Sequence, residues 1–197
     1  MKIASDGEIL IKGRGVMRGY HNLPDATAET IKDGWLYTGD IGELDAQGNL
    51  RITDRKKDLI KTSVGKYVAP QELEGKLKVL SPFISNVLVH GNNRNFCTAL
   101  VAVDAEAITS WARSNGVTGN YAEIVKDPKV HALIKPAFDQ LNASIANYSQ
   151  VKKFAILPQD LTLESGELTP SQKVKRKVVE SKYKEVLDGF YAGALDA

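Results

Sequence analysis

Alternating apolar and polar residues in the first third of the chain predict short β-strands. The stretch "GEILIKG" (residues 7–13) alternates in this way. The runs "GWLYTGDIGEL" (34–44) and "NLRITDR" (49–55) flank "DAQG" and predict two antiparallel strands with Gly48 in the turn between them. Ahead of this hairpin, "NLPDATAETI" (22–31) predicts a short helix because a proline lies near its first turn.

The remaining two thirds of the chain mix helical and strand patterns. The predicted strands are 84–91, 95–104 and 151–157, and the predicted helices are 69–80 and 128–145. Pro136 should kink the second of these helices or mark a break in it. A last helix is predicted to begin near Pro170–Ser171. Its predicted apolar face consists of Val174, Val178, Val179, Tyr183, Val186 and Leu187.

Strands, helices and hairpins alternate without a strict βαβ rhythm, so the predicted fold class is α+β. The hydrophobic pattern changes from mainly strand-like to mixed helix and strand near the basic cluster that follows the hairpin. We therefore expect two domains, a β-rich segment over residues 1–54 and an α+β domain over residues 55–197.

Composition and charge narrow the functional classes. Hydrophobic residues make up 43% of the chain and charged residues 25%, as in ordinary globular proteins. A net charge of +2 is too small to indicate nucleic acid or an acidic membrane as the main partner. The single cysteine, Cys97, lies in the apolar run "FCTALVAV" and is expected to be a buried, reduced thiol. With no signal peptide or long apolar run, these features predict a cytoplasmic protein.

The segment "DGWLYTGDIGELDAQGNLRITDRKKDLIK" (33–61) carries the most informative side chains. An aspartate in a Thr-Gly-Asp turn, such as Asp40, can accept hydrogen bonds from a ribose diol. Arg55 at a strand end can donate to the same sugar or to a phosphate. Taken alone this pattern is weak, because Thr-Gly-Asp is also a common turn and "DRKKDLIK" is also an ordinary solvated helix start.

A resemblance strengthens the nucleotide interpretation. "GRGVMRGYHNLPDATAETIKDGWLYTGDIGELDAQGNLRITDRKKDLIKTSVGKYVAPQELE" resembles the region that joins the large and small domains of AMP-forming acyl-CoA synthetases. These enzymes belong to the adenylate-forming superfamily, with firefly luciferase and peptide-synthetase adenylation domains. "SGELTPSQKVKRK" resembles their C-terminal lysine motif, and both stretches look most like the long-chain fatty acyl branch. The family's phosphate loop and adenine motif have no match here, so the resemblance implies the C-terminal third of such an enzyme.

The resemblance implies roles for residues on both sides of the predicted boundary. Asp40 would bind the ribose hydroxyls of ATP, with Arg55 as its partner on the same sugar. Tyr37 would join this ATP site, although a packed aromatic residue explains it equally well. Lys57 falls at the family's hinge position, where its alternative is a plain surface lysine.

Two further segments match the resemblance. Lys61 and the loop with Gly65 and Lys66 would enter the active site for the CoA step, since a glycine lets the pantetheine arm approach the backbone. Glu72 or Glu74 could orient this loop, and helix capping explains Glu72 about as well.

Lys173 takes the place of the lysine that contacts the acyl carboxylate and the α-phosphate during adenylation, and is the predicted catalytic residue. Gln172 stands where the family usually has glycine. The neighbouring basic residues Lys175, Arg176 and Lys177 are read as a solvated helix face.

The function implied is an ATP-dependent long-chain fatty acid–CoA ligase whose isolated C-terminal fragment is inactive. ATP, Mg²⁺ and CoA would be its cofactor, metal and co-substrate, with Mg²⁺ held mainly by substrate phosphates and upstream residues. Neither a nucleic-acid partner nor a metal site of this chain's own is expected, because no aromatic platform accompanies the basic cluster and the three histidines lack ligand spacing. Peripheral membrane association of the complete enzyme is compatible with the resemblance. The alternatives are a non-catalytic binding module and a ligase that passes acyl-AMP to a carrier protein.

Overall fold

A computed structural model of the protein describes residues 1–192. The chain forms two compact units, one spanning residues 1–59 and the other beginning at Ile60. A short 3₁₀ helix, Lys56–Asp58, lies in the segment that leads from the first unit to the second. The fold class is α+β, as the sequence predicted.

The first unit is a small sheet with one helix. Its elements are β1 (Lys2–Ile3), β2 (Glu8–Ile11), α1 (Pro24–Thr30), β3 (Ile31–Lys32), β4 (Trp35–Leu44) and β5 (Leu50–Arg55). The strands pair antiparallel in the order β1-β2-β4-β3, and β5 pairs with β4 to form the predicted hairpin. Pro24 occupies the first turn of α1, where a missing N–H has no helical partner to lose. Ile9 and Leu10 are the buried hydrophobic residues of this unit, so its core is small.

The second unit contains most of the helices. Its strands are β6 (Ile60–Lys61), β7 (Tyr67–Val68), β8 (Ile84–His90), β9 (Cys97–Val103) and β10 (Val151–Ile156). Its helices are α2 (Pro70–Leu80), α3 (Ala105–Ser114), α4 (Tyr121–Ile124), α5 (Pro128–Ala143), α6 (Arg176–Lys182) and α7 (Lys184–Gly189). The central sheet has the order β10-β9-β8, in which β9 runs antiparallel to β8 and parallel to β10. The strands β6 and β7 form a separate two-stranded ladder.

Strand β9 is the centre of the second core. All seven of its residues are buried, which explains why "CTALVAV" reads as a continuous apolar run and not as an alternating one. Cys97, Ala99 and Val101 pack in a cluster with residues of α2, α3 and α5, whereas Leu100 and Ala102 pack in another with residues of α6 and α7. Cys97 is buried and free, as predicted.

The prediction for the last helix was wrong at its start. The helix does not begin near Pro170–Ser171, because residues 169–173 form a turn whose backbone groups bond to one another. Helix α6 begins at Arg176, and Tyr183 separates it from α7. The predicted apolar face is also only partly buried, since Val178 and Val186 are 42% and 41% exposed.

Two other features bear on the predictions. Helix α5 continues through Pro136 without a break. Within residues 1–192, no helix combines the length and the apolar character that a membrane span requires.

Candidate functional site

Asp40 and Arg55 face each other across the hairpin of the first unit. They are register partners on β4 and β5, and Arg55 Nε lies 2.7 Å from Asp40 Oδ1. The aspartate side chain is 25% exposed and the arginine side chain 56% exposed. The ion pair is therefore accessible to a ligand, and both side chains keep further donor or acceptor capacity.

A tight bend in β4 presents Asp40. Gly39 adopts a φ of +72°, a conformation that glycine reaches without steric cost. The Thr38 hydroxyl donates to the carbonyl of Ile9 at 2.8 Å and accepts from the N–H of Asp40 at 3.1 Å. The side chain before the aspartate thus fixes the bend against the neighbouring strand.

A buried carboxylate that the sequence did not single out completes this bend. Glu8 is 3% exposed, and its Oε1 accepts from the N–H of Gly39 at 2.9 Å. Its Oε2 lies 2.7 Å from Lys56 Nζ, which also lies 2.8 Å from Asp6 Oδ2. Hydrogen bonds from Asp6 and then Glu8 raise the pKa of Lys56 above its ordinary value. The sequence does hint at this role, because an acidic residue in the apolar stretch "EILI" needs a partner if it is buried. Its partner Lys56 could not be identified from the sequence, since it lies 48 residues away.

Tyr37 and Lys57 lie close to this pair in sequence. Tyr37 is half-buried on β4, is paired in register with Leu10, and has the Lys32 ammonium 5.4 Å from its ring centre. Lys57 is exposed in the 3₁₀ helix that follows β5, two residues before the end of the first unit. The structure does not pair either of them with Asp40 in the way it pairs Arg55.

In the second unit, residues 62–66 ("TSVGK") form a five-residue hairpin turn between β6 and β7, called here the Lys66 turn. The Gly65 N–H donates to the Thr62 carbonyl at 2.9 Å, and the Thr62 N–H donates to the Lys66 carbonyl at 2.9 Å. Gly65 has a φ of +78°, and a side-chain carbon placed on it would meet no atom within 4 Å. Lys61, on β6 just before the turn, is exposed and lies over the ring of Tyr67 at 5.9 Å.

The loop between β8 and β9 holds the Lys66 turn in place. The N–H of Asn93 donates to the Lys61 carbonyl at 2.8 Å, and the Asn92 side chain accepts from the Lys61 N–H at 3.2 Å. The Ser63 N–H donates to the Arg94 carbonyl at 3.0 Å. The Ser63 hydroxyl also donates to the Asn95 side chain at 2.8 Å. The loop therefore binds four groups, which are the N–H and carbonyl of Lys61 and the N–H and hydroxyl of Ser63.

Residues 169–173 ("TPSQK") form a second five-residue turn, called here the Lys173 turn. The N–H of Gln172 donates to the Thr169 carbonyl and the N–H of Thr169 to the Lys173 carbonyl, both at 2.8 Å. Gln172 has a φ of +59°, a conformation that glycine would adopt without steric cost. The turn is closed by a bridge between Leu168 and Val174.

Two ion pairs hold the base of the Lys173 turn. On one side, the Glu167 carbonyl accepts from the Lys175 N–H at 2.8 Å, and the fully buried Glu167 carboxylate lies 2.7 Å from Lys182 Nζ. On the other side, Arg176 Nη1 lies 2.6 Å from Glu74 Oε1 on α2. Both Arg176 and Glu74 are less than a fifth exposed, so Arg176 does not belong to a solvated face as the sequence suggested.

The two glutamates of α2 can now be distinguished. Glu74 accepts from the N–H of Val89 at 2.7 Å as well as pairing with Arg176, so it supports the Lys173 turn. Glu72 forms a surface pair with Lys76 at 2.8 Å. Across the part of the chain that the structure describes, no group of three or more histidine, cysteine, aspartate or glutamate side chains could hold a metal ion.

Comparison with known proteins assigns the greater part of the chain to a family. The model of the AMP-binding enzyme C-terminal domain matches residues 57–195. The chain belongs to the AMP-binding enzyme C-terminal domain family. Both five-residue turns, at residues 62–66 and 169–173, lie inside the matched range.

The relatives of this chain include long-chain-fatty-acid–CoA ligases. The chain is 42% identical over 193 residues to the long-chain-fatty-acid–CoA ligase FadD15 of Mycobacterium tuberculosis, covering 97% of this chain and 32% of that protein. It is 34% identical over 196 residues to human long-chain-fatty-acid–CoA ligase 1, covering 98% of this chain and 28% of that protein. The chain thus spans about a third of the length of these relatives.

A solved structure supports the same family and fold. The A-PCP didomain of the carboxylic acid reductase from Segniliparus rugosus, in complex with AMP, matches with a TM-score of 0.71 and 26% identity. The match covers 95% of this chain and 25% of that chain. The homologues are therefore fatty acid–CoA ligases, and the structural neighbours are adenylate-forming enzymes.

Proposed function

We propose that this chain is the C-terminal part of an AMP-forming ligase that joins long-chain fatty acids to CoA. The observation that carries the proposal is the accessible Asp40–Arg55 ion pair, 2.7 Å apart on a bend held by Glu8 and Lys56. A carboxylate fixed in this way offers two acceptors to a ribose diol, and the guanidinium beside it keeps free donors for the same sugar. The similarity to named long-chain ligases supplies the substrate class.

In the first half-reaction, the carboxylate of a fatty acid attacks the α-phosphorus of ATP and pyrophosphate leaves. Lys173 would stabilise the negative charge that builds on the phosphoryl oxygens. A cation held in a fixed geometry does this well, because it is already in position when the charge develops. The Lys173 turn meets this requirement, since its backbone is bonded internally and its base is held by Glu167 and Arg176.

In the second half-reaction, the CoA thiol attacks the acyl-adenylate and AMP leaves. We assign this half to the segment with Lys61, Gly65 and Lys66, where the bare backbone at Gly65 leaves room for a pantetheine arm. Lys57 is the proposed hinge, because it is exposed in a short 3₁₀ helix that contains no buried residue, so little packing would oppose a change of its backbone angles.

ATP and CoA are the proposed co-substrates, and Tyr37 the third proposed residue of the ATP site. Mg²⁺ would be held mainly by the phosphates of ATP and by residues of the complete ligase outside this chain. The proposed domains are residues 1–54, as the end of the large domain, and residues 55–197, as the mobile small domain.

The test is AMP release from ATP, fatty acid and CoA, measured for the complete ligase and for the 197-residue chain. The complete ligase should release AMP and form acyl-CoA, and the isolated chain should do neither. Robust turnover by the isolated chain would contradict its assignment as part of a larger enzyme. Release of pyrophosphate with no consumption of CoA would instead favour a ligase that passes acyl-AMP to a carrier protein.

A further inference from the structure

The longest segment without helix or strand in the first unit joins β2 to α1. It comprises residues 12–23 and is called here the Arg18 loop, whereas most connections in compact domains are only about 4–6 residues long. The N–H of Tyr20 donates to the Thr27 hydroxyl at 2.9 Å, and that hydroxyl donates to the Leu23 carbonyl at 2.8 Å. A side-chain carbon on Gly19 would lie only 2.7 Å from Thr27 Cγ2, so the loop packs directly against α1. A long loop held in one shape by such contacts is typical of a functional segment.

Three large apolar side chains of the Arg18 loop are exposed to water. They are Met17, Tyr20 and Leu23, each more than a third exposed. The hydrogen bonds to Thr27 fix the backbone at Tyr20 and Leu23, so these two side chains are held at the surface. Exposed apolar side chains that are grouped in one segment indicate a contact surface, whereas scattered ones need no explanation.

The charged side chains of the Arg18 loop are all basic. They are Lys12, Arg14 and Arg18, and the loop contains no acidic residue. Across residues 1–192, neither Arg14 nor Arg18 makes an ion pair or a hydrogen bond through its side chain. The net charge of +2 for the whole chain conceals this local excess of positive charge.

The Arg18 loop also forms one wall of an open recess of about 500 Å³ against α1. Its lining includes Arg18, Tyr20 and His21. The acidic residues of α1, Asp25 and Glu29, do not line this recess. A phosphate group in the recess would therefore meet a guanidinium and no carboxylate, and guanidinium–phosphate hydrogen bonds are among the strong ones.

A second apolar patch in the same unit differs from the Arg18 loop in its charge. Three large apolar side chains are exposed at the tip of the β4–β5 hairpin, namely Leu44, Leu50 and Ile52. The charged residues beside them, Glu43, Asp45 and Arg51, sum to a negative charge. An anionic surface would repel the hairpin tip and attract the Arg18 loop, so the combination of apolar and basic side chains indicates the kind of partner.

We propose that the Arg18 loop binds the surface of an anionic phospholipid bilayer. Its arginines contact lipid phosphates, and Met17, Tyr20 and Leu23 enter the boundary between head groups and acyl chains. Tyrosine favours this boundary because its ring is apolar and its hydroxyl remains in water. Binding by so small a surface is weak and reversible. This inference rests on the proposed function, because long-chain fatty acids partition into bilayers and a ligase at the bilayer surface meets its substrate there.

The test is co-sedimentation of the complete ligase with lipid vesicles. The vesicles contain phosphatidylcholine and phosphatidylglycerol in equal parts, or phosphatidylcholine alone. The parent should bind the mixed vesicles about 10-fold more tightly than the neutral ones, and added salt should reduce this difference. Arg18→Glu should weaken binding to mixed vesicles about 10-fold, because it reverses one charge at the bilayer surface. Leu23→Ser should weaken it about 5-fold, because it removes apolar area from the interface.

Two matched controls change exposed residues outside the Arg18 loop. Ile52→Ser removes a side chain that is 61% exposed, compared with 57% for Leu23. Arg113→Glu reverses the charge of an exposed arginine on α3. Both control variants should bind the mixed vesicles as the parent does. All four variants should release AMP at the parental rate with fatty acid supplied on serum albumin, whereas Arg18→Glu and Leu23→Ser should release it more slowly with fatty acid supplied in mixed vesicles.

Three results would overturn the inference. Parental binding of mixed vesicles by Arg18→Glu and Leu23→Ser would mean that the loop contacts another part of the complete ligase and not the bilayer. Equal losses in the loop variants and the control variants would make the effect a general one of charge and apolar area. Equal binding of neutral and mixed vesicles by the parent would exclude recognition of lipid charge. Failure of the proposed function looks different, because the parent would then release no AMP with fatty acid on albumin, while vesicle binding would still depend on the loop.

Discussion

Replacing Lys182 by methionine should leave the carboxylate of Glu167 buried without its ammonium partner. The Glu167 side chain is fully buried, and Lys182 Nζ lies 2.7 Å from its Oε1. The remaining contacts are the Ser165 hydroxyl at 2.5 Å and a weak bond from the Thr162 N–H at 3.4 Å. Methionine retains most of the aliphatic stem, so the substitution mainly removes the charge.

The expected cost follows from the burial of the two partners. Removing one partner of a fully buried pair costs about 3–5 kcal/mol, because an uncompensated charge stays behind. The Lys182 side chain is 40% exposed, so water screens the pair and can replace part of the ammonium's interaction. We therefore expect Lys182→Met to lower the free energy of unfolding by about 1–3 kcal/mol at neutral pH.

The loss should depend on pH in a defined direction. Burial alone would raise the pKa of Glu167, but the hydrogen bonds from Lys182 and Ser165 outweigh burial and lower that pKa below its ordinary value. A carboxyl with a lowered pKa contributes stability above its unfolded pKa, and this stability is lost as the pH falls through the folded pKa. The difference between parent and variant should thus be full at pH 7 and shrink in acid.

Urea denaturation of the 197-residue protein at several pH values measures this difference. The control is Lys135→Met, because the Lys135–Asp139 pair on α5 is more than half exposed on both sides and should contribute about 0.5 kcal/mol or less. A Lys182→Met effect no larger than that of Lys135→Met would refute the reasoning, as would a difference that stayed constant down to acid pH.

Three shorter predictions address the nucleotide site, the Lys173 turn and the two units. Asp40→Asn should raise the KM for ATP of the complete ligase about 10- to 100-fold through weaker ribose hydrogen bonds. The melting temperature should change little, because the ion pair is partly exposed and asparagine retains hydrogen-bonding capacity. Gln172→Val should lower the free energy of unfolding by about 1 kcal/mol in urea denaturation, while Gln172→Gly should be neutral or slightly stabilising, since only glycine accepts the positive φ freely. Native-state hydrogen exchange should be slower in β8 and β9 than in β4 and β5, because the second unit has the larger core; equal protection would contradict this.

The sequence predicted most of the elements because their patterns are local. The hairpin of β4 and β5 follows from two alternating runs around "DAQG", and α1 and α2 each carry a proline in the first turn. The pairing of Asp40 with Arg55 does not follow from alternation alone. The regular register would place Asp40 opposite Asp54, and a register shift between Ile41 and Gly42 brings Arg55 to that position instead.

The supports of the site could not be predicted, because they join residues far apart in sequence. Glu8 reaches Lys56 across 48 positions, and Arg176 reaches Glu74 across 102. The start of the last helix was misplaced for a local reason. "TPSQK" has proline at its second position, which suits a type I turn as well as a helix start. In the structure these residues form the turn, whose backbone hydrogen bonds replace those of a first helical turn.

The central claim is that two turns of one small domain serve the two halves of a ligase reaction. The most direct measurement compares pyrophosphate exchange with acyl-AMP consumption by CoA in Lys173→Ala and Gly65→Leu variants of the complete ligase. Lys173→Ala should slow exchange about 10²- to 10³-fold and leave thioester formation largely intact.

Gly65→Leu should show the opposite effects, because a side chain would block the pantetheine path. The control is Gly116→Leu, since Gly116 also has a positive φ (+68°) and open space around it but lies outside both turns. Equal slowing of both assays by Lys173→Ala and by Gly65→Leu would contradict the account.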